Sequence, residues 1–155
     1  MFTKFSKKNI MSPCDGEAVE LSKVPDPVFA EKMLGEGFAV VPSGTEVYAP
    51  VNGKVIDVAD TLHAYCITTS DGLDVLVHVG INTVGLGGKG FSPKVKNGDA
   101  VKVGDLLCTF EPMVFEEKGC STHIPVIITN SDEVKSIDVS VGNKKAGDVC
   151  LTYRK

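Results

Sequence analysis

Glycine or proline interrupts this chain every several residues, and that cadence constrains the fold more than any other feature. Sixteen glycines and eight prolines in 155 residues set turns at short intervals. Glycine supplies positive φ, while proline fixes φ and removes a donor. Between the interruptions run short β-rich segments: Glu17–Leu21, Phe38–Val41, Glu46–Tyr48, Lys54–Val58, Tyr65–Thr68, Val75–Val79, Leu106–Phe110, Val126–Thr129 and Val149–Tyr153. Short strands bounded by turn residues predict an all-β sandwich or barrel with few short helical turns. Helical patterning is confined to two stretches of one or two turns each. Asp26–Leu34 has Asp26 as N-cap, Pro27 at the first helical position and Gly35 closing it. Ser131–Ile137 is the second, with Ser131 as cap.

Two half-motifs occur twice. Ser12–Leu21 reads SPCDGEAVEL and Ala49–Val58 reads APVNGKVIDV, each with proline, two residues, glycine, then a strand. Gly104–Phe110 reads GDLLCTF and Gly147–Tyr153 reads GDVCLTY. The pairs predict one structural unit duplicated and packed on itself. The alternative is chance matching within a turn-rich β protein.

Charge and cysteine content narrow the functional classes. Sixteen Lys and Arg against 20 Asp and Glu leave a net charge of −4, whereas nucleic-acid-gripping domains carry a basic excess. No apolar run approaches the roughly 20 residues that span a bilayer, so no membrane insertion is expected. The five cysteines (Cys14, Cys66, Cys108, Cys120, Cys150) form no C-x-x-C pair and read as small buried hydrophobes. Free thiols and a start without a secretory apolar core predict a cytoplasmic protein. Residues 1–9, with Phe2 and Phe5 among lysines, read as a flexible basic segment before a single domain at 10–155.

Only His63, His78 and His123 titrate near neutrality without perturbation. His78 lies in the apolar run VLVHV, ended by Gly80, where desolvation favours the neutral ring. Taken alone, such a histidine is more often a satisfied core residue than a reactive one. His63 sits where a turn meets a strand. Thr61, two residues earlier, reaches its ring if the segment is extended. His123 reads as an exposed loop residue. The glycine-rich Gly85–Gly90 lacks the helix of a phosphate loop and reads as a wide turn. His63, His78 and a carboxylate form a conceivable zinc set.

Several segments, taken in order, resemble the glucose-type enzyme IIA domain of the bacterial phosphoenolpyruvate-dependent sugar phosphotransferase system. They are VPDPVFAEKMLGEGFAV (Val24–Val40), YAPVNGKV (Tyr48–Val55), the His63–Ala64 pair and DGLDVLVHVGINTVGLGGKGF (Asp71–Phe91). VKVGDLLCTF (Val101–Phe110) and PVIITN (Pro125–Asn130) complete the match. The resemblance implies an antiparallel β-sandwich, a duplicated hybrid motif, acting as a phosphocarrier.

By that resemblance His78 is the phosphorylated nucleophile. His63 is the stabiliser of the phosphoryl group, Thr61 orients His63, and the Gly80 backbone orients His78. Val28, Phe29, Leu76 and Val84 line an apolar rim that shields the histidines and docks partners. The implied partners are the histidine-containing phosphocarrier protein, HPr, as donor and a IIB domain of a sugar permease as acceptor. An alternative role is phosphorylation-dependent binding of regulated transporters or enzymes. No cofactor is required, although His63 and His78 could share a zinc ion at a partner interface. Three positions depart from the family pattern: Asn82 stands where an aspartate is usual, Leu62 where a polar residue is frequent, and His123 where histidine is uncommon.

Overall fold

A computed structural model describes residues 7–155. The chain forms strands β1 (Lys8–Met11), β2 (Gly16–Glu20), β3 (Glu36–Pro42), β4 (Glu46–Tyr48), β5 (Gly53–Val58), β6 (Ala64–Thr68) and β7 (Asp74–His78). These are followed by β8 (Phe91–Pro93), β9 (Ala100–Val101), β10 (Leu106–Phe110), β11 (Ile124–Ile128), β12 (Ser136–Val139), β13 (Gly142–Lys144) and β14 (Val149–Arg154). One-turn helix α1 (Pro27–Ala30) precedes β3, and α2 (Pro112–Glu117) precedes β11.

All pairings are antiparallel. Eight strands form one large sheet in the order β13-β2-β3-β11-β7-β6-β5-β9, and two three-stranded sheets, β1-β14-β12 and β4-β10-β8, complete the sandwich. The main core lies between the layers. Phe38, Tyr65, Ile67, Val75, Val77 and Val126 of the large sheet pack in one buried cluster with Ile10, Leu107, Phe110 and Leu151 of the smaller ones. The three ion pairs among the described residues all face solvent and contribute about 0–1 kcal/mol each. A buried aliphatic side chain contributes roughly 1.5–3 kcal/mol, so apolar burial dominates the stability.

The large sheet has a second apolar surface on its outer face. Leu21, Val24, Phe29, Ala39, Ile81 and Ile127 form a separate buried cluster there, with Leu76 packed against it. Strand alternation explains the division, since Val75 and Val77 point into the sandwich while Leu76 and His78 point outward. A histidine in VLVHV therefore leaves the main core by register alone.

The suspected duplication is visible in the hydrogen bonds. Gly104 N–H donates to the Ala49 carbonyl at 3.1 Å, and Ala49 N–H returns a bond to the Asp105 carbonyl at 2.8 Å. Gly147 N–H donates likewise to the Ser12 carbonyl at 3.0 Å, and Ser12 N–H to the Asp148 carbonyl at 2.7 Å. In both turns an aspartate closes the loop on a lysine N–H three residues earlier, Asp105 on Lys102 and Asp148 on Lys145, each at 2.8 Å. Asn52 accepts from Val103 N–H and Asp15 from Ala146 N–H, both at 2.8 Å. Lys96–Asp99 repeats the turn a third time, with Lys96 N–H donating to Asp99 at 3.0 Å.

Several elements differ from the sequence expectation. Ser131–Ile137 is not a helix: a single 3-10 turn, Ser131–Glu133, leads into β12, whose residues pair with β14 from Ser136 to Val139. Cross-strand pairing overrides the weak local helical pattern. The helix within Asp26–Leu34 is a single turn, in keeping with the one or two expected, and Asp26 caps it by accepting from Val28 N–H at 2.8 Å, but it ends at Glu31 rather than at Gly35. Helix α2 and strands β1, β8, β9, β12 and β13 had no expected counterpart of their own. Lys8 and Asn9, placed in the N-terminal segment by sequence, pair with Tyr153 and Thr152. Residues 1–6, with Phe2 and Phe5, lie outside the described residues. All five cysteines are free, and Cys66 and Cys120 are only half-buried.

Gly53 offers a direct test of the packing. A methyl group there would fall inside contact distance of the Thr68 carbonyl on the neighbouring strand, whereas one on Gly44 would meet open space. Gly53→Ala is expected to lower unfolding free energy by about 2–3 kcal/mol in urea titration, and Gly44→Ala to change it by no more than about 0.5 kcal/mol.

Candidate functional site

His78 ends β7, and His63 immediately precedes β6, the strand beside it. Ala64 and His78 are cross-strand partners, and Val79 N–H donates to the His63 carbonyl at 2.7 Å. The two rings meet edge to face with centroids 4.9 Å apart and planes at 80°. Phe29 covers His78 from α1 at 4.9 Å. Thus the structure brings His63 and His78 together on the outer face, 15 residues apart in sequence.

Each imidazole is oriented by a bond at Nδ1. His78 Nδ1 lies 2.7 Å from the Gly80 carbonyl. A carbonyl only accepts, so Nδ1 of the neutral ring carries the proton and Nε2 keeps a lone pair. His63 Nδ1 lies 2.7 Å from the Thr61 hydroxyl. With that hydroxyl donating, the His63 proton resides on Nε2. The neighbouring rings then present one free lone pair and one N–H donor.

Thr61 reaches His63, but not through the extended backbone that sequence suggested. Residues 61–63 form a turn with Leu62 at φ +63°, a left-handed conformation that costs a branched aliphatic roughly 1–2 kcal/mol. Asn82, after Gly80, also adopts φ +65°. Strained backbone of this kind persists where surrounding bonds over-determine it.

Gly80 has no room for a side chain. Its φ is +84°, and a Cβ would strike Thr83 Cγ2 and Phe115 Cε2. Thr83, fully buried, donates its hydroxyl to the Val79 carbonyl at 2.6 Å and tightens the same loop. Sequence reading passed over Thr83, although a lone hydroxyl in INTV, just after the histidine strand, is a visible signal.

Burial sets the protonation states. Desolvation lowers the His78 pKa from 6.5 to about 4; the bond to Gly80 opposes the drop, nearby His63 adds to it, and Asp26 opposes it. Desolvation also lowers the His63 pKa. His63 is only 8% exposed. His123 is half-buried rather than the exposed loop residue expected, because its carbonyl accepts Gly80 N–H at 3.0 Å and its ring turns back on Ser121. Its pKa is lowered by burial as well.

The residues expected to line the rim separate into two groups. Val28 and Val84 are exposed, at 38% and 57%. Leu76 is half-buried in the outer cluster. Phe29 is only 5% exposed, so it shields His78 without presenting itself to a partner. Exposed Met33 and Leu34 beyond α1 add apolar surface that sequence had not singled out. Among the described residues no group of three or more His, Cys, Asp or Glu could hold a metal ion. His63 and His78 alone could supply two of the four ligands a zinc ion takes.

The lowered pKa values fix the sign of a pH effect. Between about pH 6.5 and pH 4 the unfolded chain binds a proton at His78 that the folded chain does not. Stability therefore falls as pH drops through that window, and this contribution levels off below it. The urea midpoint is expected to decline from pH 7 to pH 4, with a shallower decline in His78→Gln.

Comparison with known proteins identifies the family. A family model described as phosphoenolpyruvate-dependent sugar phosphotransferase system, EIIA 1, matches residues 8–134. The chain is 44% identical over 140 residues to the PTS system glucose-specific EIIA component of Oceanobacillus iheyensis, covering 90% of this chain and 85% of that protein. The glucose-specific EIIA component of Staphylococcus epidermidis is 45% identical over 130 residues, 84% of this chain and 78% of that one. The glucosamine-specific EIICBA component of Bacillus subtilis is 44% identical over 128 residues, 83% of this chain but 20% of that protein. Glucose permease IIA from Mycoplasma capricolum superposes with a TM-score of 0.90 at 38% identity, over 95% of this chain and 96% of that one. With an outward pair of braced histidines on this sandwich, the chain belongs to the EIIA 1 family of the phosphoenolpyruvate-dependent sugar phosphotransferase system.

Proposed function

We propose that this EIIA component accepts a phosphoryl group on His78 from phosphorylated HPr and passes it to a cysteine of a IIB domain. The observation that carries the reading is the bond from His78 Nδ1–H to the Gly80 carbonyl. It leaves Nε2 as the nucleophilic nitrogen, and the lowered pKa keeps that nitrogen unprotonated at neutral pH.

In the first step the Nε2 lone pair attacks phosphorus in line with the bond to the donor nitrogen. As the new N–P bond forms, the old one breaks and its electron pair returns to the donor imidazole. No proton leaves His78. The ring gains positive charge as it takes the phosphoryl group, and the Gly80 carbonyl on Nδ1–H disperses that charge. His63 Nε2–H, held by Thr61, donates to a phosphoryl oxygen. In the second step a IIB thiolate attacks the same phosphorus, the N–P bond breaks, and its electrons return to Nε2. A relative whose name joins EIIC, EIIB and EIIA units in one protein supports IIB as the acceptor.

Phe29 and the outer cluster keep water from the N–P bond. Exposed Val28 and Val84, with Met33 and Leu34, offer an apolar docking surface for both partners. No helix among the described residues is long and apolar enough to cross a membrane, and His78 is only partly buried, which leaves it open to a protein partner.

Incubation with phosphoenolpyruvate, enzyme I and HPr, followed by intact-mass spectrometry, tests the assignment. The wild-type chain gains one phosphoryl group and His78→Gln gains none; a phosphate that persists in His78→Gln contradicts it. His63→Gln is expected to accept phosphate yet pass it to IIB on the order of 100-fold more slowly, the usual cost of losing one stabilising donor.

A further inference from the structure

The segment Ser121–His123 leads into β11 alongside the loop that follows His78, and its carbonyls hold that loop. Ile81 N–H donates to the Ser121 carbonyl at 3.0 Å, and Gly80 N–H donates to the His123 carbonyl at 3.0 Å. The first of these bonds matters most. Ile81 N–H and the Gly80 carbonyl belong to one planar peptide unit. Anchoring its N–H end on Ser121 sets the direction of the carbonyl that receives His78 Nδ1–H. The second bond anchors the preceding peptide plane, whose Val79 carbonyl also takes the Thr83 hydroxyl.

The segment is braced by its own side chains. Ser121 Oγ accepts the His123 backbone N–H at 3.3 Å and lies 2.6 Å from His123 Nδ1. The Ser121 hydroxyl proton is therefore available to Nδ1, which accepts it in the neutral ring. The arrangement parallels that of Thr61 and His63. In both, a hydroxyl two residues before a histidine bonds Nδ1, and the histidine carbonyl accepts an N–H from the residues just after His78. Two hydroxyl-braced histidines thus grip the same loop from two neighbouring segments.

We infer that Ser121 and His123 are positioning residues for the His78 imidazole. Their side-chain couple fixes the two carbonyls that orient the Gly80 peptide, and that peptide holds the proton on Nδ1 and leaves Nε2 free. The consequence for phosphotransfer rests on the reading of His78 as acceptor, whereas the effect on the ring does not. Burial keeps His123 neutral and able to accept at neutral pH.

The test uses the full, unphosphorylated chain with 15N-labelled histidine, observed by NMR at pH 7. In the wild type His78 is protonated at Nδ1 and that proton exchanges slowly. Ser121→Ala and His123→Leu each break the couple. Both are expected to speed Nδ1–H exchange by about tenfold, the effect of weakening one hydrogen bond, and to populate the Nε2-protonated form. His123→Asn, whose Oδ1 can take the Ser121 hydroxyl, and Ser121→Thr are expected to restore the wild-type ring. A purely structural role for the segment does not predict that rescue on the His78 resonances. If either folded removal variant keeps wild-type exchange and tautomer at His78, the inference is wrong; should Ser121→Ala fail to fold, His123→Leu decides alone. In the phosphotransfer assay the removal variants are expected to lose several-fold in kcat with unchanged KM for phosphorylated HPr. A wild-type chain that takes no phosphate overturns the acceptor assignment, while unchanged ring exchange overturns only the inference drawn here.

Discussion

The hydrogen bond from His78 Nδ1–H to the Gly80 carbonyl is the contact on which the site depends. At 2.7 Å it fixes which nitrogen carries the proton. Every neighbouring feature serves that bond or uses its result. Gly80 must be glycine because Thr83 and Phe115 occupy the space a Cβ would need. The left-handed residues Leu62 and Asn82 lie in the two loops that bring the histidines together. The lowered pKa of His78 arises first from desolvation, but desolvation alone would not choose between the two nitrogens. Burial makes the ring neutral, and the carbonyl makes it directional.

The sandwich explains how a polar pair of rings can sit on a sheet whose other face is largely apolar. Alternation along β7 sends Val75 and Val77 into the main core and Leu76 and His78 to the outer face. There a small second cluster, capped by Phe29 from α1, supplies enough burial to depress the histidine pKa values without closing the site. The K-x-G-D turns formed by Lys102–Asp105 and Lys145–Asp148 are far from this chemistry in sequence and role. Their mirrored hydrogen bonds join residues 102–105 to 49–52 and residues 145–148 to 12–15 in the same way.

Much of this was legible in sequence where the causes are local. Glycine and proline spacing located nine strands to within about two residues, and the G-D repeats announced turns, whose closure on the aspartate side chains only the structure reveals. The Asp26 cap was readable because capping is a contact over two residues. Long-range causes were not readable. The 131–137 segment looked helical until β14 supplied a partner for β12. Helix α2 spans six residues, too few to show a period. His123 looked like a loop residue because nothing in CSTHIP reveals that its carbonyl meets Gly80, 43 residues earlier in the chain. The pairing of His63 with His78 likewise came from resemblance, since two histidines 15 residues apart carry no geometric information until the register of β6 against β7 is known.

The central claim concerns one atom, Nε2 of His78, and the position of the phosphoryl group on the ring tests it most directly. After phosphorylation of 15N-labelled protein, the 31P–15N coupling identifies the bonded nitrogen. The structure predicts phosphorus on Nε2 of His78 with a proton retained on Nδ1. Phosphorus on Nδ1, or on His63 or His123, would contradict it.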